Sequence, residues 1–409
     1  MTIHTENTKG SWRAAKLDHL GSSIFAEVAS WKEEAKANGK DLIDLGIGSP
    51  DQGPSSYIRE TLSREVLKEG SYAYPKSSGS EIFLTTVAKW MNHRFQVDLH
   101  SQTEIISLMG SQDGLAHLAQ AICNLGDLAM VPNPGYPIYS GSLAIAGVRA
   151  YEIPLKEDNQ FMPDLDAIPD EIWAEAVFIL LSFPGNPIAS AASQEYFEKL
   201  IAKASKWNVL IVHDMAYSEM GFDGYRPMSI LSIPGAIETA VEFHSFSKSF
   251  QMAGCRIAFL AGNEQAIQSL RILKENIDYG VFEPIQQAAV TALEQAIAEG
   301  ENYTGPAPLY EARRDLFVDL LAKEGWNIRK PCATMFLWAR LPEPFRGKPQ
   351  EWDSRSFAKA LLLHSGVAVI PGDAFGSEGV GYVRIALVQE QERLEEAARR
   401  IGEFIRSYR

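Results

Sequence analysis

The chain has 409 residues, 46% of them hydrophobic and 22% charged, with a formal net charge of −14. That is ordinary for a globular protein with two or three domains' worth of chain, and it excludes collagenous, disordered and coiled-coil classes. No run of about 18 apolar residues exists to span a membrane, and the basic stripe of a nucleic-acid-binding protein is missing.

Three cysteines, Cys123, Cys255 and Cys332, are scattered and odd in number. This argues against a disulfide framework and for a reducing compartment. No CxxC or HExxH spacing occurs, so no metal is expected. The opening MTIHTENTKGSWRAAK has no apolar signal core, and a cytoplasmic location is expected.

Residues 1–45 read as an arm and a helix that pack with a small domain or a partner subunit. Short apolar runs bounded by Gly, Pro, Asn or Asp then alternate with helix-length segments. This predicts βαβ units and a mostly parallel sheet. The first run, Ile105–Leu108, leads into Gly110-Ser111-Gln112-Asp113-Gly114 and a helix. A glycine-flanked turn into a helix N-terminus exposes N–H groups to a phosphate. Asp113 serves equally as a helix cap. The second run, Leu128–Val131, leads into Pro132-Asn133-Pro134-Gly135-Tyr136-Pro137, where Tyr136 is either a rigid plate for an aromatic ring or a packed loop tyrosine.

The third run, Val177–Leu181, ends before Asn186, whose amide could contact a ring oxygen and a carboxylate; Asn-Pro is also an ordinary turn. A helix is expected over Gln194–Trp207. The fourth run, Val209–Val212, ends in His213-Asp214, with Tyr217 three residues on. Asp214 sits where ligands meet an α/β sheet. A carboxylate there could keep a pyridine nitrogen protonated, or simply cap a helix. His213 points to the opposite face of the strand and reads as structural.

The fifth run, Val241–Phe243, leads into Ser245-Phe246-Ser247-Lys248-Ser249, with Arg256 eight residues past Lys248 and the strand Ile257–Ala261 after it. Lys248 is either a solvated loop lysine or an amine that binds a carbonyl cofactor. In the second case Ser245, Ser247 and Arg256 hold an adjacent phosphate, and a nearby guanidinium favours the neutral, nucleophilic lysine. Glu343–Ser356 reads as a loop. Gly381–Leu387 reads as a strand in which Arg384 needs an anion, whether a substrate carboxylate or a structural one. Leu394, Ala398, Ile401 and Ile405 mark an amphipathic surface helix. The organisation expected is a large α/β domain over 46–295 and a smaller α+β domain over 296–409.

Taken together, these segments resemble the fold type I pyridoxal-phosphate aminotransferases, from about residue 30 to the C-terminus. The stretch HDMAYSEMGFDGYRPMSI…PGA…SFSKSFQMAGCRIAF is most similar to the subgroup of LL-diaminopimelate, alanine-glutamate and methionine aminotransferases. The resemblance implies a mostly parallel seven-stranded sheet between helices plus a smaller α+β domain. It implies pyridoxal 5'-phosphate as cofactor and ping-pong transfer of an amino group between an L-amino acid and a 2-oxo acid.

By the same resemblance, Lys248 is the Schiff-base lysine and proton shuttle. Asp214 pairs with the pyridine nitrogen, Tyr217 and Asn186 contact the phenolic oxygen, and Tyr136 stacks on the ring. Ser111, Gln112, Ser245, Ser247 and Arg256 cradle the phosphate. Tyr74, in YAYPKSSGS, reaches a neighbouring subunit's phosphate, which implies a homodimer with shared sites. Arg384 binds the substrate carboxylate, and Gly48, in LGIGSPD, contacts it through the backbone. The sequence departs from the family's Asn-Pro-Thr-Gly at Ile188-Ala189 and from Asn-Met-Ala-Gly-Trp at Gln251 and Cys255. Gln112 stands where lysine is common, and Phe83-Leu84 replaces a frequent Leu-Arg. These changes bear on substrate identity. A C–S β-lyase on the same scaffold and a cofactor-sensing binding protein are the alternative functions.

Overall fold

The computed structural model of the chain describes residues 12–20, 23–346 and 352–408. The first eleven residues of the expected arm, and 347–351 of the loop expected over 343–356, lie outside the described residues.

Among the described residues the strands are, in chain order, β1 (Ile43–Asp44), β2 (Ile105–Leu108), β3 (Leu128–Asn133) and β4 (Arg149–Pro154). They continue with β5 (Ala176–Leu181), β6 (Leu210–Asp214), β7 (Ala240–Ser245) and β8 (Ala258–Gly262). The last four are β9 (Phe336–Arg340), β10 (Val367–Ala368), β11 (Ile370–Pro371) and β12 (Tyr382–Ala386). Seven of them form one sheet in the order β2-β8-β7-β6-β5-β3-β4. Only β8 runs against its neighbours, β2 and β7; the other pairings are parallel.

Both faces of this sheet are covered, which is why its central strands read as continuous apolar runs. Alternate residues enter opposite cores. Ile179, Leu181 and Ile211 join the core that holds Phe83, Trp90 and Phe197. Phe178, Leu180 and Val212 join the core that holds Leu115, Leu118 and Leu270. The helix over Gln194–Trp207 starts at Ser193, whose hydroxyl accepts the Tyr196 N–H. It ends at Asn208, which takes a left-handed backbone.

The same alternation separates His213 from Asp214. His213 is 1% exposed. Its Nε2 accepts the Phe183 N–H at 3.2 Å, so the ring is neutral and Nδ1 donates to Glu242 at 2.8 Å. Glu242 also accepts from His244, Ser229 and the Ile230 N–H. Burial alone would raise its carboxyl; the donors from His213 and His244 overcome that and hold it low.

A third core draws on both ends of the chain. The antiparallel sheet β11-β12-β9 and the parallel pair β1–β10 pack with helices Ala307–Lys323, Ser354–Ser365 and Gln391–Arg406. The last helix buries Leu394, Ala398, Ile401 and Ile405, the stripe read in the sequence. Helix Ser354–Ser365 begins at a reciprocal cap, in which Asp353 Oδ1 accepts the Ser356 N–H and Ser356 Oγ accepts the Asp353 N–H. It ends at Gly366 with φ +74°, where a Cβ would stand 2.5 Å from the Asp41 carbonyl. That close approach lets residues 43–44 pair with 367–368.

Candidate active site

The parallel strands deliver their C-terminal ends to one cleft of about 940 Å³. Asp214 and Ser245 are the last residues of β6 and β7. Ser247 and Lys248 lie in the single helical turn Phe246–Ser249 that follows β7, while Ser111 and Gln112 open the helix Ser111–Ile122. Tyr136 and Asn186 come from the loops after β3 and β5, and Arg384 from the middle of β12. These residues, with Tyr217, Arg256 and Gly48, all line the cleft. Tyr74 does not. It is 84% exposed, with its ring 5.0 Å from that of Tyr279.

Arg384 is 4% exposed. Nη1 donates to Asn186 Oδ1 at 2.9 Å and Nη2 to the Gly46 carbonyl at 2.7 Å. The guanidinium carbon lies 4.3 Å from the Phe336 ring centre and 4.9 Å from that of Phe375. Its buried Nε has no acceptor, and among the described residues no carboxylate pairs with Arg384. Burial pushes the guanidinium down to about 10. The structural carboxylate that would have explained this arginine is therefore missing, and a buried cation of this kind calls for an anion.

Lys248 donates to the Gly48 carbonyl. Burial, then Arg384 and Arg256, push its amine down to about 8. The guanidinium effect expected from the sequence is thus second to desolvation. Arg256 donates to the Ala253 carbonyl at 2.9 Å and, among the described residues, pairs with no carboxylate. It lies against Gly110, where φ is +83° and a Cβ would stand 2.2 Å from Nη2. Only glycine lets the arginine lie over the first turn of the helix. Asp113 turns inward instead, to the Met109 N–H and to buried Lys274. Tyr136 donates to Gln112 Oε1 at 2.9 Å.

No helix follows Asp214, so it is not a helix cap. Oδ2 accepts the Tyr139 hydroxyl at 2.7 Å and Oδ1 the Ala216 N–H at 3.3 Å. Burial raises its carboxyl; the Tyr139 hydrogen bond and the Ala216 N–H work against that rise. The cleft therefore offers an amine that gives up its proton more readily than an ordinary lysine, two cations without carboxylates among the described residues, and a sealed carboxylate.

Residues 40–401 match the family aminotransferase class I and II. The chain belongs to this family. It is 39% identical over 388 residues to the LL-diaminopimelate aminotransferase of Desulforudis audaxviator, covering 95% of this chain and 96% of that relative. Substrate-bound BacF from Bacillus subtilis superposes with a TM-score of 0.89 at 34% identity, covering 96% of this chain and 98% of that one. A probable N-succinyldiaminopimelate aminotransferase from Thermus thermophilus does so with a TM-score of 0.86 at 37% identity, over 93% of this chain and 100% of its own.

The aminotransferase works with pyridoxal phosphate on amino-acid and 2-oxo-acid substrates, and its donor set fits that cofactor. Arg256 without a carboxylate, the Ser111, Ser245 and Ser247 side chains and a helix N-terminus suit a phosphate. Sequence reasoning missed Tyr139 and the Phe336–Phe375 pair around Arg384, and it read Gly110 as part of the turn without its packing against Arg256. Tyr139 carried a faint signal, standing three residues after Tyr136 at the start of a helix; the phenylalanine pair carried none that spacing reveals.

Proposed function

We propose that this aminotransferase takes the amino group of LL-diaminopimelate, or a close relative of it, and passes it to a 2-oxo acid in two half-reactions. One observation carries the reaction type: Arg384 is buried without a carboxylate, beside an amine held down to about 8. The donor is proposed from the names of the curated relatives.

When bound, pyridoxal phosphate supplies a carbonyl that takes up the amine and a ring that spreads the charge left at Cα. Arg384 grips the α-carboxylate in a two-pronged fork, with Asn186 and Gly46 fixing the plane of the fork. The Gly48 backbone borders the same carboxylate. Lys248 Nζ would hold the cofactor until the substrate's amine displaces it, and its freed amine would then take the Cα proton and return it. Asp214, steadied as a carboxylate by Tyr139, would hold a proton on the ring nitrogen. Tyr217 and Asn186 would meet the phenolic oxygen, and Tyr136 would lie on the ring face. Ser111, Gln112, Ser245, Ser247 and Arg256 hold the phosphate.

The reading includes a homodimer. Leu67, Tyr72, Tyr74, Ile277 and Tyr279 are all exposed, and Tyr74 meets Tyr279. A second copy would cover this apolar area and receive Tyr74 at its phosphate. The reading also divides the chain into an arm over 1–45, a cofactor-binding domain over 46–295 and a small domain over 296–409. The pairing of β1 with β10 supports the arm's attachment to the small domain. Three unpaired cysteines support a cytoplasmic location.

Single-turnover absorption tests the proposal. The loaded enzyme should be yellow, bleach with LL-diaminopimelate faster than with alanine, glutamate or methionine, and recover colour with a 2-oxo acid. A protein that stays colourless with pyridoxal phosphate would remove Lys248 from its role. Ammonia released from a cysteine conjugate without an acceptor would mean β-elimination instead. Sedimentation as a monomer would remove the shared site.

A further inference from the structure

A separate cavity of about 260 Å³ lies in the seam between segments 157–162 and 188–191 on one side and 327–332 and 336–346 on the other. None of the residues that line the active-site cleft lines it; of the residues around that cleft only Phe336, which packs against Arg384, also borders this cavity. Its rim carries Arg329, Lys330, Arg340 and Arg346 against one carboxylate, Glu157. In a chain of net charge −14 this reverses the average surface.

Two of these cations are closely matched, Lys330 by Asp315 at 2.6 Å and Arg346 by Glu343 at 2.7 Å. Arg340 is held more loosely, and among the described residues Arg329 meets no carboxylate. Arg340 stands 3.5 Å from Glu157 Oε2, an oxygen that already accepts the Tyr382 hydroxyl at 2.8 Å. Arg329 is exposed and reaches only the Gln160 amide oxygen, at 3.5 Å. The walls are aromatic. Trp338 and Tyr382 stack with ring centres 5.3 Å apart and planes within 8°, and Phe161 meets Tyr382 edge-on. Trp338 is 9% exposed, and its buried indole N–H has no acceptor among the described residues. A buried indole N–H usually finds one.

We propose that this seam is a second ligand site, for a small organic anion with a planar body. Arg329 and Arg340 take its charged groups, and the aromatic wall takes the body. The volume lies below the roughly 300–1,000 Å³ of most ligand pockets. It suits a single-ring or short-chain carboxylate rather than a nucleotide. The site touches the active centre at one point. Phe336 lines the seam and also lies under Arg384. Ile188, another wall, is two residues past Asn186, which accepts from Arg384. Occupancy therefore changes how Arg384 is held, and shows in KM for amino acids before kcat.

Calorimetric titration of isophthalate into the loaded, full-length enzyme tests this, alongside tryptophan fluorescence. Saturable binding is expected at millimolar concentration or below. It should persist in Arg384→Leu, which separates the seam from the substrate pocket. It should weaken at least about tenfold in Arg329→Ser/Arg340→Ser. The fluorescence change should vanish in Trp338→Phe. Circular dichroism checks that the double variant is folded; if it is not, Arg329→Ser alone decides. Absence of saturable binding, equal affinity without the two arginines, or loss of binding in Arg384→Leu would each overturn the proposal.

Discussion

The Tyr139 hydroxyl donates to Asp214 Oδ2 at 2.7 Å, and neither residue is more than 6% exposed. Burial raises the Asp214 carboxyl, and this hydrogen bond is the largest influence holding it down. Hydrogen bonds to an ionised group contribute about 1.5–3 kcal/mol. Tyr139→Phe should therefore favour the protonated acid. The carboxylate would form only at higher pH, so the acid limb of the kcat profile should move upward. Turnover at neutral pH should fall about ten- to a hundredfold by the same figure. An unmoved acid limb would separate Tyr139 from the chemistry.

Lys248 gives a prediction for the cofactor-free protein. Its amine lies at about 8 when folded, against an ordinary 10.5. Between those values the unfolded chain keeps a proton that the folded chain has lost, so stability rises with pH across the window. Below pH 8 the whole penalty stands. Lys248→Met should thus stabilise the cofactor-free protein near neutral pH by about 1–3 kcal/mol, with the difference shrinking toward pH 10.5. Urea unfolding at several pH values measures it. A constant difference between the two proteins would contradict the linkage.

Arg384→Lys should not restore what Arg384→Leu removes. One ammonium cannot reproduce the bonds to Asn186 and Gly46 while also gripping a carboxylate in two places. Loss of a buried charge-assisted contact costs about 2–5 kcal/mol. Both variants should weaken every α-amino acid to a similar extent. A defect confined to one substrate would place Arg384 on the side chain instead of the carboxylate.

Gly110→Ala should strike the phosphate end alone. Its Cβ would meet Arg256 Nη2 at 2.2 Å, at a residue whose φ is +83°. The arginine has an exposed direction in which to move, so the fold should survive. Cofactor affinity should fall at least about tenfold, the equivalent of one lost charge-assisted contact. Equilibrium titration with pyridoxal phosphate checks this.

Much of the scaffold was legible because most buried strands are apolar runs bounded by turn residues. β5 stood out as Val177–Leu181 for that reason; β7 stood out as Val241–Phe243 although it carries buried Glu242. β4 was missed, because it runs along the sheet edge with most of its residues partly or fully exposed. β9 was missed even though Pro331 and Pro342 flank it. At the site, Lys248, Asp214 and Asn186 were visible because ligand-facing groups cluster just past strand ends. Tyr139 was not, since its three-residue spacing from Tyr136 does not show that a helix residue reaches across to another strand. The Gly46 acceptor is a carbonyl, which every residue carries.

The pairing of Ile43 with Val367 joins positions 324 residues apart. During synthesis the earlier strand leaves the ribosome roughly 16 to 65 s before its partner, at about 5–20 residues per second. The seven-stranded sheet can close in that interval, because all of its strands lie before residue 263. The C-terminal core cannot, because it lacks both its own helices and the mate of β1. A fragment beginning at residue 296 would carry an unmet strand edge, a known route to aggregation. Nascent chains stalled before residue 367 should therefore hold a folded sheet while leaving residues 43–45 open to a chaperone.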